Sequence, residues 1–242
     1  MFSTLKLLFV YTALGPITGL IGIPWSLLRG NIRWMYKRGM WIANAGIRAA
    51  GIRVEVHGLE NVPAHKACIF MSNHVSNLDP PILMPAIPGQ VSVMLKQELM
   101  RIPILGTAMR MAQFVPVERS HDPVKAKATI DAAANALRSG LHIVIFAEGS
   151  RSPNGRLMAF KKGPFFLAKE TGAPIIPVAI SGTEKMMRKG SIRIYPAMAH
   201  VRMLPAIDST QYATRDELMD AVRSAINAAL PSQMQNPQLT TI

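Results

Sequence analysis

The chain has 242 residues, 49% of them hydrophobic, enough for one sizeable core with apolar sequence to spare. Its 27 lysines and arginines outweigh 14 acidic residues, and the net charge of +13 implies an anionic partner: nucleic acid, a membrane surface or a phosphorylated substrate. The single cysteine, Cys68, excludes an internal disulfide and a cysteine-based metal cluster; the lack of H-E-x-x-H, P-loop, G-x-G-x-x-G and G-x-S-x-G patterns argues against zinc proteases, P-loop NTPases, dinucleotide enzymes and serine hydrolases.

Leu7 to Leu28 carries no charge between Lys6 and Arg29 and, at about 20 residues, is long enough to cross a bilayer as a helix. Gly15-Pro16, Gly19, Gly22 and Pro24 are expected to kink or break it, so a re-entrant or interfacial helix stands beside a spanning one. A cleaved signal peptide fits less well, because Lys6 is the lone charge ahead of the apolar run and no small-residue cleavage site follows it. Residues 31 to 49 continue as a basic amphipathic helix, with Met35, Tyr36, Met40, Ile42 and Ile47 toward one side and Arg33, Lys37, Arg38 and Arg48 toward another. No acid occurs before Glu55, and Trp25, Trp34 and Trp41 are available as headgroup-level anchors, so residues 1–50 are expected to associate with an anionic membrane surface. If the first segment spans, the basic cluster after it places the rest of the chain on the cytoplasmic face, of the inner membrane if the cell is bacterial. Nucleic acid is set aside for want of an RNP-like motif or an aromatic stacking platform.

From Ile52 the texture changes to short apolar runs alternating with helical periodicity. Strands are expected over Ile52–Val56, Ala67–Met71, Val91–Leu95, Phe114–Val117, Ile143–Phe146, Ile175–Ile180, Ile192–Tyr195 and Val201–Leu204. The clearest helix opens at Asp122-Pro123, a cap and a first-turn proline, and ends at Ser139-Gly140. Another opens at Thr214, with Glu217 completing a capping box, and stops at Pro231. The pattern predicts an α/β domain over 51–230, a mixed sheet flanked by helices, preceded by the membrane-associated helical segment and followed by a polar, disordered tail over 231–242.

The stretch Ser72-Asn73-His74-Val75-Ser76-Asn77-Leu78-Asp79-Pro80 leaves the apolar run Ala67–Met71 and sets a histidine and a carboxylate five positions apart. Fully extended, that separation is about 16 Å, and on one helix the two would face different ways. A loop that doubles back through Ser76-Asn77 brings them together. Two readings are open at this point. His74 is a satisfied strand-end histidine and Asp79, before Pro80, a helix cap; or His74 is a general base held by the carboxylate.

Three further stretches follow expected strands: Phe114-Val115-Pro116-Val117-Glu118-Arg119, Phe146-Ala147-Glu148-Gly149-Ser150-Arg151-Ser152 and Ile176-Pro177-Val178-Ala179-Ile180-Ser181-Gly182. Singly they read as surface ion pairs, a turn, and an edge or distorted strand containing a proline. Arginines just beyond strand ends are also well suited to phosphate, through the paired donors of the guanidinium.

In this order the four stretches resemble the lysophosphatidic acid acyltransferase (1-acyl-sn-glycerol-3-phosphate acyltransferase) family of glycerolipid acyltransferases, over roughly residues 55 to 185. Asn73-His74 to Asp79 matches the family's N-H-x4-D block and Phe146 to Ser152 its F-P-E-G-T-R-S block, with Ala147 for the usual proline and Ser150 for the usual threonine. The resemblance implies transfer of a fatty acyl group from acyl-CoA or acyl carrier protein to the sn-2 hydroxyl of lysophosphatidic acid, giving phosphatidic acid. His74 is then the general base and Asp79 its orienting partner, and the hydroxyl attacks the thioester without an acyl-enzyme. Arg151 and Arg119, with Lys96, hold the phosphate, Glu148 and Gly149 shape that pocket, and Phe114, Ser150 and Pro177 complete the substrate-binding set. No metal or cofactor is implied. Another lysolipid acceptor, or a noncatalytic membrane-binding module, are the competing readings, and the second leaves the His74 and Asp79 pair unexplained.

Overall fold

The first two elements form a hairpin that rests on the remainder of the chain. In the computed structural model, which describes residues 1–117 and 122–236, helix α1 spans Phe2–Arg29 and helix α2 Arg33–Ala49, joined through Gly30 at φ 63°. The break expected at the prolines does not occur: Pro16 and Pro24 lie inside α1. Each removes one ladder N–H, at about 3 kcal/mol in a helix interior, yet α1 runs on through both exposed prolines as it packs along α2. Gly22 sits against the Met35 side chain and Gly46 against the Tyr11 ring, whose hydroxyl donates to Ala43 O at 3.2 Å. α1 also meets the α/β domain at two points along its length, Thr4 Oγ1 accepting from Ile194 N at 2.9 Å and Gly19 seating the Ile104 side chain.

Beyond the hairpin the order is β1 (Arg53–His57), β2 (Ile69–Ser72), α3 (Asp79–Leu83), β3 (Val91–Lys96), α4 (Leu105–Met111), β4 (Val115–Val117), α5 (Pro123–Arg138), β5 (His142–Phe146), α6 (Gly163–Thr171), β6 (Ile175–Ser181), α7 (Thr183–Met186), β7 (Met198–Met203) and α8 (Arg215–Ala229). The seven strands form one sheet in the order β1-β7-β6-β2-β5-β3-β4. β6, β2, β5, β3 and β4 run parallel, and β7 pairs antiparallel with β6, so the sheet is mixed. Alternation divides the apolar strands between two cores. Ile69, Met71, Ile143, Ile145 and Ile175 face the cluster covered by α5, α6 and α8, while Phe70, Val144, Ile176 and Val178 face the cluster that includes Leu7 and Ile47 of the hairpin. Burial on both faces explains why the central strands read as continuous apolar runs.

The capping signals operate where they were read. Asp122 accepts from Val124 N at 2.9 Å, and Thr214 and Glu217 bond reciprocally at 3.1 and 3.3 Å. Elsewhere tertiary contacts override local pattern. Ile192–Tyr195 is not a strand: Ile194 N donates to Thr4 and Tyr195 N to Met186 O, which takes its donors away from any ladder. Pro177 is not on an edge; β6 lies between β2 and β7. Its missing N–H falls where the β6–β7 register shifts by one residue, between the Val178↔Met203 pair and the Ile175↔Ile207 bridge. The start of the expected tail is ordered: Met234 is buried, its carbonyl accepts from Leu157 N at 2.8 Å, and Asn236 Nδ2 donates to Leu157 O at 3.0 Å.

Two glycines of α2 should respond oppositely to the same change. A Cβ at Gly39 meets nothing within 4 Å, so Gly39→Ala should stabilise by about 0.5–1 kcal/mol through the unfolded chain. A Cβ at Gly46 runs into the Tyr11 ring, so Gly46→Ala should destabilise by about 1–3 kcal/mol as the hairpin is prised apart. Thermal unfolding of the two variants reads both signs.

Candidate active site

Because five neighbouring strands run parallel, the residues that leave β2, β5, β3, β4 and β6 emerge along one rim. The loop after β2 is built around a buried carboxylate. Asp79 is 0% exposed, and its Oδ2 accepts from His74 Nδ1, Val75 N and Ser76 N, each at 2.8 Å. Its Oδ1 accepts from Thr183 Oγ1 at 2.6 Å. The loop thus doubles back, with Asp79 N donating to Ser76 O at 3.2 Å. Asp79 does not cap α3, whose N-cap is Leu78 with no side-chain bond; the carboxylate turns back into the loop instead. Asn73 fastens the loop's start to β6, with Ile180 N donating to its Oδ1 at 2.8 Å and its Nδ2 donating to Ile180 O at 2.9 Å.

His74 stacks on the Phe146 ring with centroids 4.2 Å apart, and its side chain remains 17% exposed. With Nδ1 directed at Asp79, the proton belongs on Nδ1 and the lone pair on Nε2, which has no hydrogen-bond partner among the described residues. A neutral imidazole so held can take a proton from a hydroxyl. Three serines of these loops are committed elsewhere: Ser72 Oγ donates to Asn73 O at 3.0 Å, Ser76 Oγ to Met187 O at 3.1 Å and Ser152 Oγ to Asn154 Oδ1 at 3.1 Å. Cys68 is buried and its thiol is pushed up to about 11 by that burial, with Lys66 pulling the other way. The geometry therefore favours a base over a covalent nucleophile.

The stretch after β5 turns at Gly149, φ 70°, and closes on the same loop. Glu148 Oε1 accepts from His74 N at 2.8 Å, Glu148 Oε2 from Met158 N at 3.3 Å, and Ser152 N donates to His74 O at 2.8 Å. Glu148 is thus a brace for the His74 backbone rather than a pocket wall alone. Ser150 is partly buried beside it. Arg151 keeps a buried Nη1 with no protein partner, while Lys189 Nζ donates to the Arg151 carbonyl at 2.9 Å. Lys96 ends β3 on this rim, half exposed and 3.7 Å from Glu98. Two expected residues lie elsewhere. Phe114 precedes β4, at the far end of the strand, and packs in the hairpin-side core. Pro177 is buried mid-sheet opposite Met71, its carbonyl accepting from Leu204 N at 2.9 Å. Arg119 lies outside the described residues. Thr183 escaped sequence reading; its one signal is a hydroxyl next to Gly182, at the end of the last recognised stretch.

Burial pushes the Glu148 carboxyl up to about 8, against the His74 and Met158 N–H donors that pull it down and with the Asp79 charge adding to the rise. An acid whose pKa is raised on folding contributes stability that is full below its unfolded value of 4.5 and is lost as pH climbs toward about 8. The stability difference between wild type and Glu148→Gln should therefore shift against wild type as pH rises from 5 to 8, by at most about 1.4 kcal/mol per pH unit. Urea unfolding of both proteins across that range is the measurement, and parallel profiles would show that Glu148 does not titrate there.

Comparison with known proteins accords with this geometry. An acyltransferase family model matches residues 53–181, from β1 to the end of β6. The chain is 33% identical over 202 residues to a 1-acyl-sn-glycerol-3-phosphate acyltransferase of Limnanthes alba, covering 83% of this chain and 70% of the relative. It is 31% identical over 179 residues to the human 1-acyl-sn-glycerol-3-phosphate acyltransferase alpha, covering 73% and 63%. The crystal structure of a 1-acyl-sn-glycerophosphate acyltransferase from Thermotoga maritima superposes with a TM-score of 0.81 at 25% identity, over 94% of this chain and 92% of that one. With the four stretches in their order and the fold shared along nearly its whole length, this chain belongs to the 1-acyl-sn-glycerol-3-phosphate acyltransferase family of glycerolipid acyltransferases.

Proposed function

We propose that the protein acylates the sn-2 hydroxyl of 1-acyl-sn-glycerol 3-phosphate, lysophosphatidic acid, from an acyl thioester on coenzyme A or acyl carrier protein, forming phosphatidic acid for phospholipid synthesis. The observation that carries this is the Asp79-held His74 with an unengaged Nε2, in a loop braced by Glu148 from the neighbouring strand. Nε2 takes the hydroxyl proton as the oxygen attacks the thioester carbonyl. The tetrahedral oxyanion collapses with rupture of the carbon–sulfur bond, and the imidazolium returns its proton to the departing thiolate. Asp79 fixes the tautomer and stabilises the imidazolium between these steps. The unpartnered Nη1 of Arg151 and the ammonium of Lys96 supply the cationic side of an acceptor phosphate site, with Arg119 as the third candidate.

The hairpin is the membrane-facing part. α1 is the described helix long and apolar enough to span a bilayer. Its contacts with the α/β domain at Thr4, Leu7 and Gly19 favour a helix lying in the interface over a spanning one. The outward face leaves Phe9 73%, Leu20 64% and Leu28 83% exposed. Trp25, Trp34 and Trp41 are exposed beside Arg29, Arg33, Lys37 and Arg38, the Arg29 guanidinium lying 4.7 Å over the Trp25 ring. Apolar insertion and attraction to anionic headgroups would act together, with the rim facing the cytoplasm.

Purified protein given labelled acyl-CoA should acylate lysophosphatidic acid and leave monoacylglycerol nearly unused. Comparable rates on both acceptors would remove the phosphate requirement, and preference for a lysophospholipid with a larger headgroup would move the assignment to that acceptor. His74→Ala should lower kcat by about 10² to 10⁴ with the acceptor KM little changed. Near wild-type turnover would return His74 to a structural role.

Reversing Arg33, Lys37 and Arg38 to Glu should weaken binding to anionic vesicles more than to neutral ones, since each basic residue contributes about 1 kcal/mol at such a surface. High salt should not release the unaltered protein; its clean release would rule out apolar insertion.

A further inference from the structure

We propose that Thr183 is a positioning residue of the acyl transfer: its hydroxyl holds Oδ1 of Asp79 so that Oδ2 stays directed at Nδ1 of His74. This inference rests on the general-base reading of His74 given above.

Thr183 is 0% exposed and opens α7 immediately after the strand β6 and Gly182. The two oxygens of Asp79 are served from different places. The donors to Oδ2 are His74 Nδ1 and the N–H groups of Val75 and Ser76, all within the loop that carries the histidine itself. A carboxylate held through one oxygen by a single loop can still turn about its final side-chain bond, a broad torsion, and can shift together with that loop. Thr183 Oγ1, at 2.6 Å from Oδ1 and 104 residues away in sequence, ties the other oxygen to the sheet.

The segment that supplies this tie is itself fixed. Gly182 has φ 90°, and a Cβ there would collide with Met198 O of β7, so the backbone leading into Thr183 follows a path set by close packing against the neighbouring strand. The same segment holds the histidine loop at two further points, Ile180 to Asn73 and Met187 O to Ser76 Oγ. A buried threonine at a helix start has no preceding turn of carbonyls to receive its hydroxyl. Here the hydroxyl goes to a charged oxygen, where one hydrogen bond counts for more than it does between neutral groups. Glu148, the other carboxyl touching this loop, reaches it at the His74 N–H, so its effect on the dyad and that of Thr183 are separable.

The test is steady-state kinetics across pH on full-length Thr183→Val, Thr183→Cys and Thr183→Ser, beside His74→Ala and wild type, with lysophosphatidic acid and acyl-CoA. Valine keeps the shape and removes the donor, cysteine keeps a weak donor, and serine keeps the hydroxyl. Thr183→Val should lower kcat by about 10- to 100-fold, the range expected for a lost hydrogen bond to a charged group, with the acceptor KM little changed. Thr183→Cys should fall between Val and wild type, and it carries the comparison by itself if the Val variant does not fold. The rising limb of kcat/KM should move to higher pH in Thr183→Val, because a carboxylate that loses a donor retains more charge to hold the imidazolium. Thr183→Ser should restore kcat and return the limb to its wild-type position. Folded Val and Cys variants with wild-type kcat and an unmoved pH limb would overturn the proposal, as would a Ser variant impaired as much as Val. His74→Ala distinguishes the two levels: if it is fully active the general-base reading fails, whereas an inactive His74→Ala beside an unimpaired Thr183→Val removes only the role of Thr183.

Discussion

A carboxylate taken wholly out of water must be surrounded by donors, and Asp79 is. Four hydrogen bonds converge on its two oxygens, three from residues 74–76 and one from Thr183. This constraint shapes the neighbourhood. The loop after β2 has to wrap around the oxygen, so Val75 and Ser76 present their N–H groups inward and His74 is delivered to the same oxygen by the same turn. The His74 imidazole is thus placed by the desolvation requirement of its partner. Strands on either side secure the arrangement, β6 through Asn73 and β5 through Glu148.

The parallel sheet makes such convergence possible. Five strands ending on one rim bring together segments separated by up to about a hundred residues, and helical layers on both faces keep the strand bodies dry. Polar side chains are then confined to the ends, where chains leave the sheet and backbone groups become available. Glu148 illustrates the cost of working at that boundary. It is nearly fully buried and its carboxyl is raised by desolvation, yet both of its oxygens hold backbone N–H groups of loops that no ladder could reach.

The hairpin adds a second kind of surface to the same molecule. Small residues allow α1 and α2 to approach one another and the α/β domain, with Gly22, Gly46 and Gly19 each receiving a side chain from the partner. The inward faces are consumed in this way, and the outward faces keep an apolar strip bordered by tryptophan and basic residues. A hairpin fixed to the domain in this way keeps that outward surface and the rim in one structural frame.

Much of this was legible before folding. The apolar runs, the caps at Asp122 and Thr214, the His74 and Asp79 spacing, the basic N-terminal region and the resemblance to a family of acyltransferases all rest on residues close together in sequence, where periodicity and turn chemistry act. Other features were decided only in three dimensions. Pro16 and Pro24 lie inside an unbroken α1 that packs along α2; Ile192–Tyr195 bonds to α1 and to the end of α7 rather than to a strand; Pro177 and Phe114 stay in the sheet and core; and Met234 is drawn from an expected tail into a buried position. Thr183 belongs with these. Local patterns report which backbone a segment prefers and which face is apolar, whereas a hydrogen bond across 104 residues exists only once the sheet has set β6 beside β2.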